Sequence, residues 1–517
     1  MENKPVWAAD LGNGQYRNPI LYADYSDPDA IRVGDDYFMV ASSFSNSPAL
    51  PLLHSKDLVG WRVVNYVLDR LPFPDYDTPA HGRGVWAPSI RYHDGLFRVV
   101  FPMPDEGIFC CTAADPFGKW SAPFPIRKGR GWIDPCPFWD DDGKAYLVNA
   151  FAFSRSGIKS TLHLAPMRTD CSGLLDEGRH IFDGHNTQPT IEGPKLYKHG
   201  GYYYIFAPAG GVKHGWQTVL RAQNIWGPYE EKIVMFRGDS AVNGPHQGAW
   251  VTTQTGEDWF LHFQDVGACG RIVHLQPVHW QNGWPVIGND PGNQGVGTPV
   301  SVCRKPDVGH VCPPVYPADS DEFDGPALGL QWQWNANRQD EWFRLGDGRL
   351  TLTAQPCTGA LCDMPSLLLQ KFPAPDFQAT ARLDISDLAP GDIAGLMVMG
   401  RLYRGAALRK TAGGIDFLSV GGRIGGTEEK RVLSHTEIGG VLYLRLTVRQ
   451  GCVCRFDYSI DNMGFLPMGE GFTAEAGVWV GAKFGLFCAG TQTGGALHAD
   501  WVRVEPPADG EAGPARG

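Results

Sequence analysis

The sequence predicts an all-β protein, a five-bladed β-propeller followed by a β-sandwich. Three observations lead there. A turn motif recurs five times with a fixed internal spacing between about residue 20 and residue 300. Clean period-2 alternation takes over after residue 318. Gly, Pro and aromatic residues are frequent throughout, and few stretches carry helical periodicity.

The repeat is clearest at Thr190-Ile191-Glu192-Gly193-Pro194-Lys195-Leu196-Tyr197, where an acidic residue opens a short apolar strand. Gly200-Gly201 makes a turn, and an aromatic strand from Tyr202 to Phe206 runs back. Trp86 to Gly95, Asp134 to Gly143, Glu192 to Gly201 and Gln247 to Gly256 are each nine residues apart. Asp27 to Asp36 is also nine, with its turn glycine earlier, at Gly34. Such units, recurring every roughly 50 to 60 residues with several short strands each, are the signature of propeller blades. The innermost strand of a blade lines the central channel. Asp27, Trp86, Asp134, Glu192 and His246-Gln247 are therefore expected to converge on one funnel.

Residues 1–19 read as a lead-in, and the propeller is expected to occupy 1–305. Within it, Trp61, Trp120 and Trp226 follow or fill turns and read as outer-blade packing. The acidic run Asp140-Asp141-Asp142 is expected to cap a hairpin in solvent. Residues 306–317, rich in Pro, read as a linker. Alternating strands such as Arg349–Thr353, Tyr443–Val448 and Trp501–Glu505 place a β-sandwich at 318–505. The tail at 506–517 is expected to be disordered.

The net charge of −11 excludes a nucleic-acid partner, because phosphate binding needs a basic surface. No stretch is apolar enough for a signal peptide or a membrane span, so a soluble, cytoplasmic protein without a membrane partner is expected. Twelve cysteines, including Cys110-Cys111 and Cys452-x-Cys454, show no zinc spacing and read as reduced, mostly buried thiols. Seventeen Trp and seventeen Tyr suit a protein that stacks sugar rings. Oligomeric state is left open, a homo-oligomer included.

Three carboxylates in one funnel cannot all titrate alike, because burial and mutual repulsion raise at least one pKa. A proton-bearing carboxyl facing an ionised one is what glycoside hydrolysis needs. Glu192 has the longer arm and is expected to be the acid. Asp27, in a blade not adjacent to it, is expected to be the base, with a gap of roughly 6.5–9.5 Å that would mean inversion. Asp134 would orient the sugar and raise the pKa of Glu192. Arg271 is expected to reach a channel carboxylate. His246, at the same inner phase, could bind a metal or hydrogen-bond a carboxylate. An Asp-Pro pair by itself is an ordinary turn former; the chemistry is suggested by three acids at one repeat phase.

These motifs resemble the family 43 glycoside hydrolases of the β-xylosidase and α-L-arabinofuranosidase type. The resemblance is carried by Ser26-Asp27-Pro28-Asp29, Val85-Trp86-Ala87-Pro88, Ile133-Asp134-Pro135, Ile191-Glu192-Gly193-Pro194 and Gly270-Arg271-Ile272-Val273. It continues into the second domain through Asp321–Gly325 and Gly481-Ala482-Lys483-Phe484. It implies a concanavalin-like sandwich and an exo-acting, inverting enzyme that releases terminal xylose or arabinofuranose from xylan- or arabinoxylan-derived oligosaccharides. By it, Asp27 is the base, Asp134 the pKa modulator and Glu192 the acid; Arg271 holds the substrate or the base, and Phe44 and Trp86 line the sugar site. It implies no cofactor for the chemistry, with room for a calcium or sodium ion at the propeller centre near His246. Asp29 departs from the usual motif and is expected to point away from the channel. Lys483 or Phe484 is expected to shape the pocket rim. The alternatives are an endo-acting arabinanase-like hydrolase and a catalytically silent carbohydrate-binding propeller.

Overall fold

The computed structural model describes residues 5–437, 439–491 and 494–507. Of the expected tail, 508–517 lies outside the described residues. Five four-stranded antiparallel sheets, each in simple sequence order, form the blades. Blade one runs from Asp29–Val33 to Arg62–Leu68, blade two from Ser89–His93 to Phe124–Lys128, and blade three from Trp132–Trp139 to Arg179–Asp183. Blade four runs from Lys195–His199 to Glu230–Met235, and blade five from His246–Thr252 to Trp284–Ile287.

Each blade buries its faces against the next, so five apolar layers alternate with five sheets. Phe38, Val99 and Phe101 fill the layer between blades one and two. Cys110 and Leu147 fill that between two and three, Val148 and Ile205 that between three and four, and Phe206 and Phe260 that between four and five. The ring closes without a shared strand. Gln15–Arg17 pairs instead with Val302–Arg304 outside the blades. Leu21 exchanges backbone hydrogen bonds with Val273 of blade five. Tyr16, Tyr37, Trp61 and Trp259 then share one core across the junction of blades five and one. Trp61 and Trp120 are buried as packing residues, and Trp226 packs at the edge of the layer between blades three and four.

The channel interior corrects the expectation for Asp29, which is fully buried. It accepts hydrogen bonds from Ile90 N (2.8 Å) and Arg91 Nη1 (2.6 Å) of blade two. Lys195 of blade four crosses to Pro88 O (2.8 Å) and Ser89 Oγ (2.7 Å), with its Nζ 4.0 Å from Asp29. The reason is tertiary: the partners of Asp29 belong to blades two and four, which its own motif does not carry. The acidic run is also corrected in part. Asp140 accepts from Tyr203 Oη (2.6 Å) and Lys198 Nζ (2.5 Å), tying blade three to blade four, while Asp141 and Asp142 stay exposed.

The second domain packs two eight-stranded sheets face to face. Leu396, Leu446, Phe484 and Leu486 lie in the core between them. The stretch 305–332 has no strand; its first part lies against the propeller, with Gln254 Nε2 and Thr255 Oγ1 donating to Val308 O and Asp307 O, and Asp321 exchanges backbone hydrogen bonds with Val502 of the sandwich. The domains are joined by main chain as well as side chains. Ser47 and Trp334 exchange both backbone hydrogen bonds, and Asn337 clasps both backbone groups of Leu71.

Asp29→Ala would leave Arg91 and Lys195 without their buried counter-charge. We expect it to destabilise the protein by about 3–5 kcal/mol, read as a lower denaturant midpoint in equilibrium unfolding. An unchanged midpoint would show that the inner strands do not depend on this pair.

Candidate active site

At the end of the channel where the inner strands begin, a pocket of about 130 Å³ is lined by Asp27, Phe44, Trp86, Asp134, Glu192, Gln247 and Arg271, with Val212 and Trp479 at its edge. The repeat phase puts these side chains there through backbone distortion. Asp134 and Gln247 each sit in a register shift of their inner strand, between Ile133 and Cys136 and between His246 and Gly248. Both have left-handed backbone, with φ 54° and 40°, as do Asp27 (55°) and Phe44 (53°). A bulge re-aims one side chain out of the pleat, and left-handed backbone at non-glycine residues gathers at functional sites. Gly193 supplies the equivalent turn after Glu192, with φ 60° and Gln247 packed where a Cβ would stand.

Asp27 is gripped from three sides. Its Oδ2 accepts from Ser26 Oγ and Ser42 Oγ, both at 2.6 Å, and its Oδ1 from Arg271 Nη1 at 2.9 Å. Arg271 lies over the Phe263 ring and also donates to Ser26 Oγ. Asp134 accepts from Gly193 N at 2.7 Å. Burial, then the Glu192 carboxyl, raise its pKa to about 7; the Asp27 carboxyl adds to this, and the Gly193 N–H opposes it. Glu192 is half-buried, and its Oε1 shares a 2.9 Å hydrogen bond with His246 Nε2.

His246 thus meets a carboxylate. Among the described residues no group of three or more His, Cys, Asp or Glu side chains is placed to hold an ion. His246 Nδ1 is buried without a protein partner. A central cation would have one imidazole and water for ligands, whereas a hard cation takes several oxygens; no step below is routed through one.

Two buried donors in the pocket, Trp86 Nε1 and Gln247 Nε2, also have no protein partner. A wider cavity of about 470 Å³ opens at the opposite mouth of the channel, where Arg91 is paired with Asp29, Lys198 with Asp140 and Asp141, and Arg32 donates to the carbonyls of Thr252 and Gly34.

The rim corrects a second expectation. Lys483 is buried and bonds Asn46 Oδ1, and Phe484 points into the sandwich core. The sandwich residue that reaches the pocket is Trp479, half-exposed, with its ring centroid 6.1 Å from that of Trp86. It stands on a short turn in which Gly477 N donates to Val480 O. Asp24 holds that turn to the propeller, accepting from Gly481 N (2.9 Å) and from Arg271 N (2.8 Å). Gly82 lies beneath it, where a Cβ would come within 2.4 Å of Val478. Sequence spacing offered no signal for Trp479, which lies in no strand; its pairing with Gly82 and Asp24 exists only across the domain boundary. Gln247 was visible at the repeat phase, but its orphan amide was not.

Residues 16–285 match the family model described as Glycosyl hydrolases family 43. The chain belongs to this family. Residues 320–505 of this family 43 protein match the Beta xylosidase C-terminal Concanavalin A-like domain. It is 40% identical over 502 residues to a putative beta-xylosidase of Xylanibacter ruminicola, covering 96% of this chain and 90% of that one. It is 30% identical to a non-reducing end alpha-L-arabinofuranosidase of Bacteroides ovatus, covering 76% and 75%. Among solved structures it superposes on a bifunctional GH43-CE protein of Bacteroides eggerthii with a TM-score of 0.83 at 28% identity. That match covers 98% of this chain but 64% of the other, so this glycoside hydrolase spans just under two thirds of that longer protein.

The raised Asp134 pKa has a consequence for stability. A carboxyl whose pKa is higher folded than unfolded costs nothing below its unfolded value near 4, destabilises the fold progressively as pH rises from there to about 7, and adds nothing further above that. Asp134→Asn keeps an acceptor for Gly193 N and removes the charge. Its unfolding free energy is expected to match wild type near pH 4, to exceed it increasingly up to about pH 7 and to hold a constant margin above that, of order 4 kcal/mol at most. A constant offset between about pH 4 and about pH 7 would refute the linkage.

Proposed function

We propose that this family 43 glycoside hydrolase removes single terminal pentoses, β-D-xylose foremost, from the non-reducing ends of xylan-derived oligosaccharides, with inversion. One observation carries the reading. The three carboxyls lie in a pocket walled by Phe44 and Trp86 and closed at its edge by Trp479 from the second domain. Such a pocket takes a chain end. The name of the Xylanibacter ruminicola relative supports xylose, and that of the Bacteroides ovatus relative supports α-L-arabinofuranose as a second sugar at the same site.

In this reading Glu192 is the general acid. It gives its proton to the glycosidic oxygen as the bond to the anomeric carbon breaks. Asp27, fixed by Ser26, Ser42 and Arg271, is the base. It takes a proton from the water that attacks the opposite face of that carbon, so the product carries inverted configuration. Asp134 is a positioning residue. Burial and the neighbouring Glu192 carboxyl raise its own pKa to about 7, so Asp134 resists becoming a second anion beside Glu192. His246 orients Glu192 through its Nε2. Phe44, Trp86 and Gln247 form the walls against which the sugar ring rests.

Initial rates on an aryl β-D-xyloside and an aryl α-L-arabinofuranoside, run side by side, would rank the two sugars. Asp27→Asn is expected to lose at least about 10³-fold on both. Glu192→Gln is expected to lose as much on xylobiose and far less on a substrate whose leaving group needs no proton. Equal losses on the two substrate types would remove Glu192 from the acid role. Proton NMR of the first product formed should show the α-anomer of xylose; the β-anomer would exclude inversion.

Trp479→Ala tests the closed pocket separately. We expect KM for xylobiose to rise roughly five- to tenfold with kcat little changed, the loss of one aromatic wall. An unaltered KM would detach the second domain from substrate binding.

A further inference from the structure

Outside the pocket, the seam between the domains holds a chemical feature that the hydrolytic reaction does not use. Cys269 Sγ and Cys452 Sγ lie 2.7 Å apart, although 183 residues separate them. Cys269 ends the turn Gly267–Cys269 of the propeller, and Cys452 stands at the sandwich turn between Val441–Arg449 and Val453–Ser459. Both thiols are buried, at 4% and 5% exposure; Gly451, next to Cys452, is exposed, as is Gly267, two residues before Cys269. Around them the seam is tightly registered. Ala482 N donates to Ala268 O at 2.7 Å, and a Cβ on Gly481 would come within 2.8 Å of Gly270.

We infer that Cys269 and Cys452 form a covalent cross-link between the catalytic and sandwich domains when the protein meets a small-molecule disulfide as oxidant. The reaction balances as thiol–disulfide exchange. The Cys452 thiolate attacks one sulfur of the oxidant, breaks its S–S bond and expels the first thiolate, leaving a mixed disulfide. The Cys269 thiol loses its proton and attacks the Cys452 sulfur. The Cys269–Cys452 bond forms as the second small thiolate departs. Two protein thiols are oxidised and one disulfide is reduced to two thiols. The hydrogen bond with Cys269 draws the Cys452 thiol below its ordinary pKa, which favours Cys452 as the half that supplies the thiolate.

The position gives the link a function. Gly270 leads directly to Arg271, whose backbone N–H is held by Asp24 and whose guanidinium grips Asp27. Asp24 also holds Gly481, behind the turn that carries Trp479. A bond at Cys269 would lock that same seam and close a loop of 183 residues, which limits the unfolded chain. We expect oxidation to raise thermal stability while turnover persists, since neither sulfur lines the pocket.

The test uses the full chain equilibrated in oxidised or in reduced glutathione, alkylated and digested with trypsin. The expected product in the oxidised sample is peptide 238–271 joined to peptide 450–455. Fragment spectra should assign the bond to Cys452 rather than Cys454, which shares its peptide. Cys454→Ser should keep the link, and Cys452→Ser should lose it together with the rise in melting temperature on oxidation. A link confined to Cys452–Cys454, a link between Cys110 and Cys171 only, or glutathione adducts without any joined peptide would each overturn the inference. The fragment spectra of the wild type decide the matter even where Cys452→Ser does not fold.

Discussion

Two carboxyl groups, those of Asp134 and Glu192, interact in a space from which water is largely withdrawn, and much of the structure serves to keep them there. Burial and repulsion raise the pKa of Asp134 to about 7. A charged pair in that position would repel itself apart unless rigid elements opposed it. The opposition comes from two blades whose inner strands share a packed layer of Ile133, Val148, Leu196 and Ile205. Gly193 N binds Asp134 across the same junction. The acid chemistry of the site therefore rests on the packing between blades three and four.

The third carboxyl has the opposite surroundings. Asp27 receives three hydrogen bonds, one of them from a guanidinium, through residues of blade one and blade five. Its environment depends on ring closure, because Arg271 and Asp27 are distant in sequence and meet only where blade five returns to blade one. The strand pair Gln15–Arg17 with Val302–Arg304 and the reciprocal bond of Leu21 with Val273 hold that junction. Environments of opposite character at the two ends of one small pocket separate acid from base.

The sandwich is part of the site rather than an appendage. Asp24 accepts from the backbone of Arg271 with one oxygen and from that of Gly481 with the other. One side chain thus fixes both the residue that grips Asp27 and the turn that carries Trp479. A Cβ on Gly481 would meet Gly270 at 2.8 Å and one on Gly270 would meet Asp24 at 2.5 Å, so neither has room for a side chain. This seam sets how far Trp479 reaches over the pocket, and with it the share of a sugar chain that can enter.

Repeat phase and alternation determined the fold class, the number of blades and the convergence of Asp27, Trp86, Asp134, Glu192 and Gln247. A nine-residue offset repeated in every unit can be satisfied only if equivalent residues occupy equivalent places around an axis. Local pattern also marked Arg271, at the start of an apolar strand. What it could not carry were orientations and partners set by distant chain. Asp29 was misread because its partners, Ile90, Arg91 and Lys195, belong to blades two and four. Asp140 was misread because its partners, Lys198 and Tyr203, belong to the next blade. Lys483 and Phe484 were chosen for the rim over Trp479 because a residue in an irregular turn has no period to read. Its direction is decided by Gly82, Asp24 and Gly270, which meet it only when the two domains pack. Pattern fixes which face of its own strand a residue occupies; contact between elements far apart in the chain decides what that face meets.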